Sequence, residues 1–211
     1  MAEHKRLTNA GRKYRLQARA AAMDRTRERI THAAVELHGT IGPAATTMSA
    51  VAELAGVTRA TLYRHFPNEE ALFTACSAEW LAANPRPDAT AWASIADPVR
   101  RLGVALGELY AYYRSTEQMR TNLLRDIAAI PETFRPGIVA FPAATVQTLE
   151  AGWPEAHQRH AAIGHAVGFE TWRSLAAQGL NDEEATRLMV RFISCLGPLP
   201  RSQPNTLRTS R

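Results

Sequence analysis

Cysteine is scarce in this chain, with two thiols, Cys76 and Cys195, in 211 residues. They stand far apart and imply no disulfide framework, which suits a reducing compartment. No stretch approaches the roughly 18 consecutive apolar residues of a membrane span. The basic N-terminal stretch lacks the apolar core of a secretion signal. The expectation is therefore a cytoplasmic protein without a membrane partner. Catalytic signatures are missing too: there is no G-x-S-x-G, no glycine-rich phosphate loop and no H-E-x-x-H. Scattered Glu, His and Tyr residues make no constellation, so no enzyme and no cofactor are expected. His157, His160 and His165 have no cysteine or carboxylate set around them at ligand spacing, so no metal site is expected either. Strand patterns and internal repeats are absent. What remains is an all-α chain, long enough for one compact unit or a small module plus a larger one.

The charge that is present is unevenly placed. Residues 1–66 hold 11 Lys and Arg against 5 Asp and Glu, a net of +6, whereas residues 67–211 hold 14 against 15, a net of −1. The whole-chain excess of +5 thus belongs to the first third. A basic excess localised in this way is an electrostatic footprint for a polyanion. Lys5, Arg6, Arg12, Lys13, Arg15 and Arg19 form a basic arm over residues 1–22, either a contact for that polyanion or a solvated tail.

Thr46 to Phe66 carries the densest signal. Thr47 is placed to cap a first short helix through its hydroxyl, and Thr58 to cap a second. Between them, Gly56 can adopt the positive φ that a helix end often needs. Ala52 and Ala55 are small enough for two helices to approach closely, and Val57 plugs the angle between them. Leu62 and Phe66 lie four residues apart and share a buried face. That leaves Arg59, Ala60, Thr61, Tyr63, Arg64 and His65 outward. Two short helices around a tight turn, the second with a polar face, are the layout of a helix-turn-helix that enters a DNA major groove. Arg59 is the expected base contact. Thr47, Thr58, Tyr63 and His65 are expected at phosphates, with Ala60 and Thr61 against thymine methyls.

The run from Ala55 to Phe66 resembles the recognition segment of TetR-type transcriptional regulators. The likeness extends back through Thr47, Thr46 and Gly42 to a helix over 24–39, and forward through Glu70, Ala71, Leu72 and Phe73. The resemblance implies an all-α homodimer with an N-terminal three-helix DNA-binding domain and a C-terminal helical domain that binds a small ligand and dimerises. Most such regulators are repressors released from a palindromic operator by that ligand. One position departs from the pattern: Glu69 stands where the family usually has a lysine that approaches a phosphate.

Expected domains are the arm 1–22, the DNA-binding domain 23–84, a ligand-binding and dimerisation domain 85–197, and a tail 198–211. Asn84-Pro85-Arg86-Pro87 marks the boundary. Separate helices are expected at about 96–115 and 117–129, followed by a proline-broken stretch, then helices at 142–152, 155–178 and 182–196. The last two alternate small and large apolar groups and form the expected homodimer surface. Tyr110, Tyr113, Met119, Leu123, Phe134, Phe141, Phe169 and Trp172 are the expected walls of a pocket for a hydrophobic or aromatic effector. The other reading of the same chain is an activator, or a DNA-binding regulator whose C-terminal helices are an interaction module without a pocket.

Overall fold

The computed structural model describes residues 2–139, 143–154 and 157–196, and all regular structure among them is helical. The chain divides into two compact units. The first comprises residues 1–86 and 114–140, the second residues 87–113 and 141–211. The expected boundary after residue 84 lies near the first crossing. Residues 114–140, however, group with the N-terminal helices, and not with the rest of the expected 85–197 domain.

In the first unit, α1 (Ala2–Thr40) is one helix of 39 residues. The expected start near Asp24 is not seen, since the basic stretch continues the same helix. Residues 2–23 hold no proline, and Ala10, Ala18, Ala20, Ala21 and Ala22 favour helix. Then come α2 (Met48–Leu54), α3 (Arg59–His65) and α4 (Glu69–Ala83). Each begins on a side-chain cap: Thr47 accepts from Ala50 N, Thr58 from Thr61 N and Asn68 from Ala71 N, at 3.1, 3.2 and 2.8 Å. Their apolar faces meet in one core that contains Ile30 and Ala34 of α1, Val51 of α2, Leu62 of α3, Phe66, and Leu72 and Phe73 of α4.

Helix α6 (Pro98–Arg125) passes from one unit to the other. The two helices expected at 96–115 and 117–129 are therefore one. Arg114-Ser115-Thr116-Glu117 contains neither glycine nor proline, and Thr116 is buried. The expected acid cap is present, since Asp97 Oδ1 accepts from Arg100 N at 2.6 Å. Two 3-10 turns and α7 (Arg135–Val139) complete the first unit.

The second unit holds α5 (Ala89–Ala93), the first part of α6, α8 (Ala143–Glu150), α9 (His157–Ala166), α10 (Phe169–Ala177) and α11 (Asp182–Ser194). The single helix expected over 155–178 is split at Gly168, whose backbone is extended (φ −72°, ψ 139°). The break leaves carbonyls that side chains satisfy, two of them from far along the sequence. Tyr110 OH donates to Ala166 O at 2.9 Å, Tyr113 OH to Val167 O at 2.5 Å, and Thr171 Oγ1 to His165 O at 2.6 Å. Trp172 donates from Nε1 to Asp182 Oδ1 at 2.9 Å, and Trp92 to Glu108 Oε2 at 2.7 Å. Tyr110, Tyr113, Trp92 and Trp172 thus bury their rings while keeping their polar tips bonded. Helix α11 starts on a capping box between Asn181 and Glu184. It buries Ala185, Met189 and Ile193 and exposes Leu188 and Phe192. No described helix is long and apolar enough to cross a membrane.

Candidate nucleic-acid interface and cavity

Helix α3 has two faces of opposite character. Leu62 and the following Phe66 are fully buried, worth roughly 1.5–3 kcal/mol each in apolar transfer. Arg59, Ala60, Tyr63 and Arg64 are exposed, while Thr61 and His65 are half-buried. The Arg59 guanidinium lies 5.9 Å from the centre of the Tyr63 ring, close enough for a cation–π contact that orients it along the helix. The Thr58 hydroxyl has two local duties: it accepts from Thr61 N and donates to Thr61 Oγ1 at 3.0 Å. Its first role is therefore to start α3. Gly56 takes φ 63° in the turn, as expected.

The far end of α3 is held by a residue that local spacing does not reveal. Arg27 of α1 donates from Nη1 to His65 O at 2.8 Å, and its guanidinium lies 4.1 Å from the centre of the Phe66 ring. The His65 imidazole has its Nε2 covered, without a hydrogen-bond partner among the described residues. Partial burial, then the neighbouring Arg64 and Arg27 charges, lower its pKa, which favours the neutral ring.

The entrance to α2 is clamped from α6. Asn122 is buried and donates from Nδ2 to His38 O and Gly39 O at 3.1 and 2.9 Å. Arg125 donates from Nη2 to Ile41 O at 2.9 Å, and Ala44 N donates to Asp126 Oδ2 at 3.2 Å. Arg125 and Asp126 pair with each other at 2.7 Å. Gly42 lies between these groups at φ 92°, and a Cβ there would collide with both Arg125 Nη2 and Asp126 Oδ2. The residue must be glycine for conformation and for space alike. These partners lie more than 80 residues apart in sequence, so no periodicity points to them.

Residues 30–76, which span the end of α1, the capped pair α2 and α3, and the start of α4, match the family model for bacterial regulatory proteins of the tetR family. The chain carries the DNA-binding module of TetR-family transcriptional regulators. Solved structures with the same fold extend the likeness past that module. A protein described as a fatty acid metabolism regulator of Clostridium perfringens is 15% identical, with a TM-score of 0.55 over 78% of this chain and 96% of its own. A TetR-like transcriptional regulator from Rhodococcus sp. RHA1 is 18% identical, with a TM-score of 0.53 over 80% and 93%. NalD, the secondary repressor of the MexAB-OprM multidrug efflux pump in Pseudomonas aeruginosa, is 22% identical, with a TM-score of 0.51 over 81% and 94%. No curated protein matches the sequence significantly.

Glu69, the departure from the TetR pattern, is exposed in the first turn of α4 beside Glu70. Two carboxylates there favour the helix start, where the dipole is positive. Glu69 also shares a small surface cleft with Thr47, so its charge sits beside the start of α2.

Behind the TetR module, within the same unit, α1, α4, α6 and α7 enclose an open cavity of about 230 Å³. Phe73, Trp80, Met119, Leu123, Phe134 and Ile138 give it an apolar wall. His38 and Cys76 add a buried polar pair, with Sγ 3.6 Å from Nδ1. Burial lowers the His38 pKa to about 4 and pushes the Cys76 thiol up to about 12, so both are neutral near pH 7.

The eight expected wall residues are not brought together. Met119, Leu123 and Phe134 line this cavity. Tyr110, Tyr113, Phe169 and Trp172 belong instead to the aromatic core of the second unit, where they are almost wholly buried against one another. Tyr110 and Tyr113 point along α6 to the carbonyls freed at Gly168, which is the physical reason they are committed there. Phe141 lies outside the described residues. His38, Phe73, Cys76 and Trp80 were not among the expected wall residues, because they lie within the expected DNA-binding domain 23–84.

Proposed function

We propose that this chain is a homodimeric repressor that binds a palindromic operator and is released by a small, largely apolar ligand held in the 230 Å³ cavity. The observation that carries the DNA reading is α3 itself. Its inner face is anchored by Leu62 and Phe66, and it offers Arg59, Ala60, Tyr63 and Arg64 to the groove. Arg59 reads a base, and Tyr63, His65 and the cap hydroxyls of Thr47 and Thr58 meet phosphates, with Thr61 and Ala60 against methyl groups. Residues 23–84 act as the reader, and the helical extension over 2–22 adds basic charge along the duplex.

The release step is supported by α6. Met119 and Leu123 face the cavity, while Asn122, Arg125 and Asp126, on the same turns, hold the 38–44 segment that leads into α2. A ligand that displaces α6 therefore acts on the entrance to the reading helices. It shifts the equilibrium only by its differential affinity for the two arrangements. The dimer is supported by Leu188 and Phe192 of α11, 47% and 54% exposed and four residues apart, an apolar stripe that a symmetry mate would cover. One α3 reads few bases, and a twofold pair about 34–36 Å apart reads a palindrome.

Footprinting of the full chain on the DNA upstream of its own coding region tests the reading. Protection of an inverted repeat is expected. Arg59→Ala should relax discrimination among operator variants, and Tyr63→Phe should weaken all of them alike. Uniform loss for Arg59→Ala would reject its base contact. Asn122→Ala should leave DNA affinity within a few-fold but blunt release by ligand, since it cuts the link from α6 to α1.

A further inference from the structure

The cavity has an uneven charge, and that narrows what it can hold. Arg86, just beyond the end of α4, carries the only permanent charge on its wall among the described residues, and no Asp or Glu lines it. His38 is held neutral by burial, and Glu79 of α4, near enough to influence Cys76, is not part of the wall. Arg86 is exposed, at the open side of the cavity, and donates from Nη2 to Gly137 O of α7 at 3.1 Å. Of the five N–H groups of a guanidinium, that bond uses one. The remaining edge can take a carboxylate in paired hydrogen bonds without releasing α7.

We propose that the cavity takes an amphipathic anion, its apolar body against Trp80, Met119, Leu123 and Phe134 and its carboxylate on Arg86. This rests on the effector reading above and adds the head-group chemistry to it. The volume of about 230 Å³ equals about eight waters at ~30 Å³ each, which suits a body of medium chain length or a single ring. A cationic ligand of the same size would meet a guanidinium with no carboxylate to offset it, and a neutral one would leave Arg86 bonded only to Gly137 O and water.

The test is calorimetric titration of the full chain with decanoate, 1-decanol and decyltrimethylammonium, each kept below its aggregation concentration. The three share a ten-carbon body and differ in head charge. Decanoate is expected to bind about tenfold more tightly than decanol, the size of one charge-assisted hydrogen bond, with the cation weakest. Arg86→Gln should bring decanoate down to the level of decanol and leave decanol unchanged, while Arg86→Lys should keep most of the preference. Met119→Trp, which fills the cavity, should weaken all three, with its thermal unfolding checked alongside. Equal binding of decanoate and decanol to the natural chain, or a preference that survives Arg86→Gln, overturns the head-group assignment alone. Failure of all three to bind, or indifference to Met119→Trp, removes the cavity as an effector site and this inference with it.

Discussion

The helix-turn-helix and the aromatic core of the second unit end their helices by different means. In the first, Thr47, Thr58 and Asn68 cap α2, α3 and α4 from three residues away in sequence. In the second, the carbonyls freed at Gly168 are taken by Tyr110 and Tyr113, 56 and 54 residues distant. Both solve the same problem, the unpaired backbone groups at a helix end. A local solution leaves a readable pattern of residue types at fixed spacing. A distant one leaves only a tyrosine in a helix, which looks equally like a pocket wall.

The largest expected effect crosses that division, because His38 is a buried long-range residue of the same unit as the locally capped helices. Its pKa is about 4 when folded and 6.5 in the reference state. Between those values the unfolded chain holds more protons, so stability falls as the pH drops from 6.5 towards 4, by up to about 3 kcal/mol from this residue. Denaturant titrations at pH 7.5, 6 and 5 should show the loss, and His38→Leu should flatten it. An equal slope in both proteins would mean that the ring is hydrated.

Next in size is Tyr113→Phe, which leaves Val167 O without that donor inside the core and should destabilise by about 1–3 kcal/mol. Thr58→Ala removes a local cap and should lower stability by about 1 kcal/mol, together with DNA affinity. If Thr58→Ala proved the more damaging to the fold, the contrast between local and distant caps would be reversed. The smallest effect on stability belongs to Glu69→Lys, an exposed position. There DNA affinity should rise on all sequences alike, and the logarithmic salt slope should steepen by about one. Unchanged affinity at low salt would show that Glu69 stands clear of any phosphate.

The candidate site was legible where its determinants are neighbours. The two threonine caps, the positive φ of Gly56, and the burial of Leu62 and Phe66 all follow from side-chain chemistry within one turn of helix. The support beneath them was not. Arg27 under His65, and Asn122, Arg125 and Asp126 around Gly42, are polar residues whose partners lie far along the chain, and any exposed polar position gives the same signal. The cavity was half legible: Met119, Leu123 and Phe134 were placed on its wall, but its α1 and α4 sides were assigned wholly to the DNA reader. Helix limits erred for a related reason. At Gly168 an extended backbone whose freed carbonyls find side-chain donors stops the helix, whereas the mere change of residue types at 114–117 does not interrupt α6.

Sequence alone thus determined the all-α class, the turn, its capping threonines and the outward face of α3, because each depends on interactions over three or four residues. Tertiary structure alone decided that residues 114–140 join the N-terminal helices, that Tyr110 and Tyr113 serve a broken helix and not the 230 Å³ cavity, and that Arg86 supplies the sole permanent charge on that cavity's described wall. Those outcomes depend on which distant groups meet. Burial and hydrogen-bond satisfaction select that meeting over the whole fold, and residue spacing along the chain does not encode it.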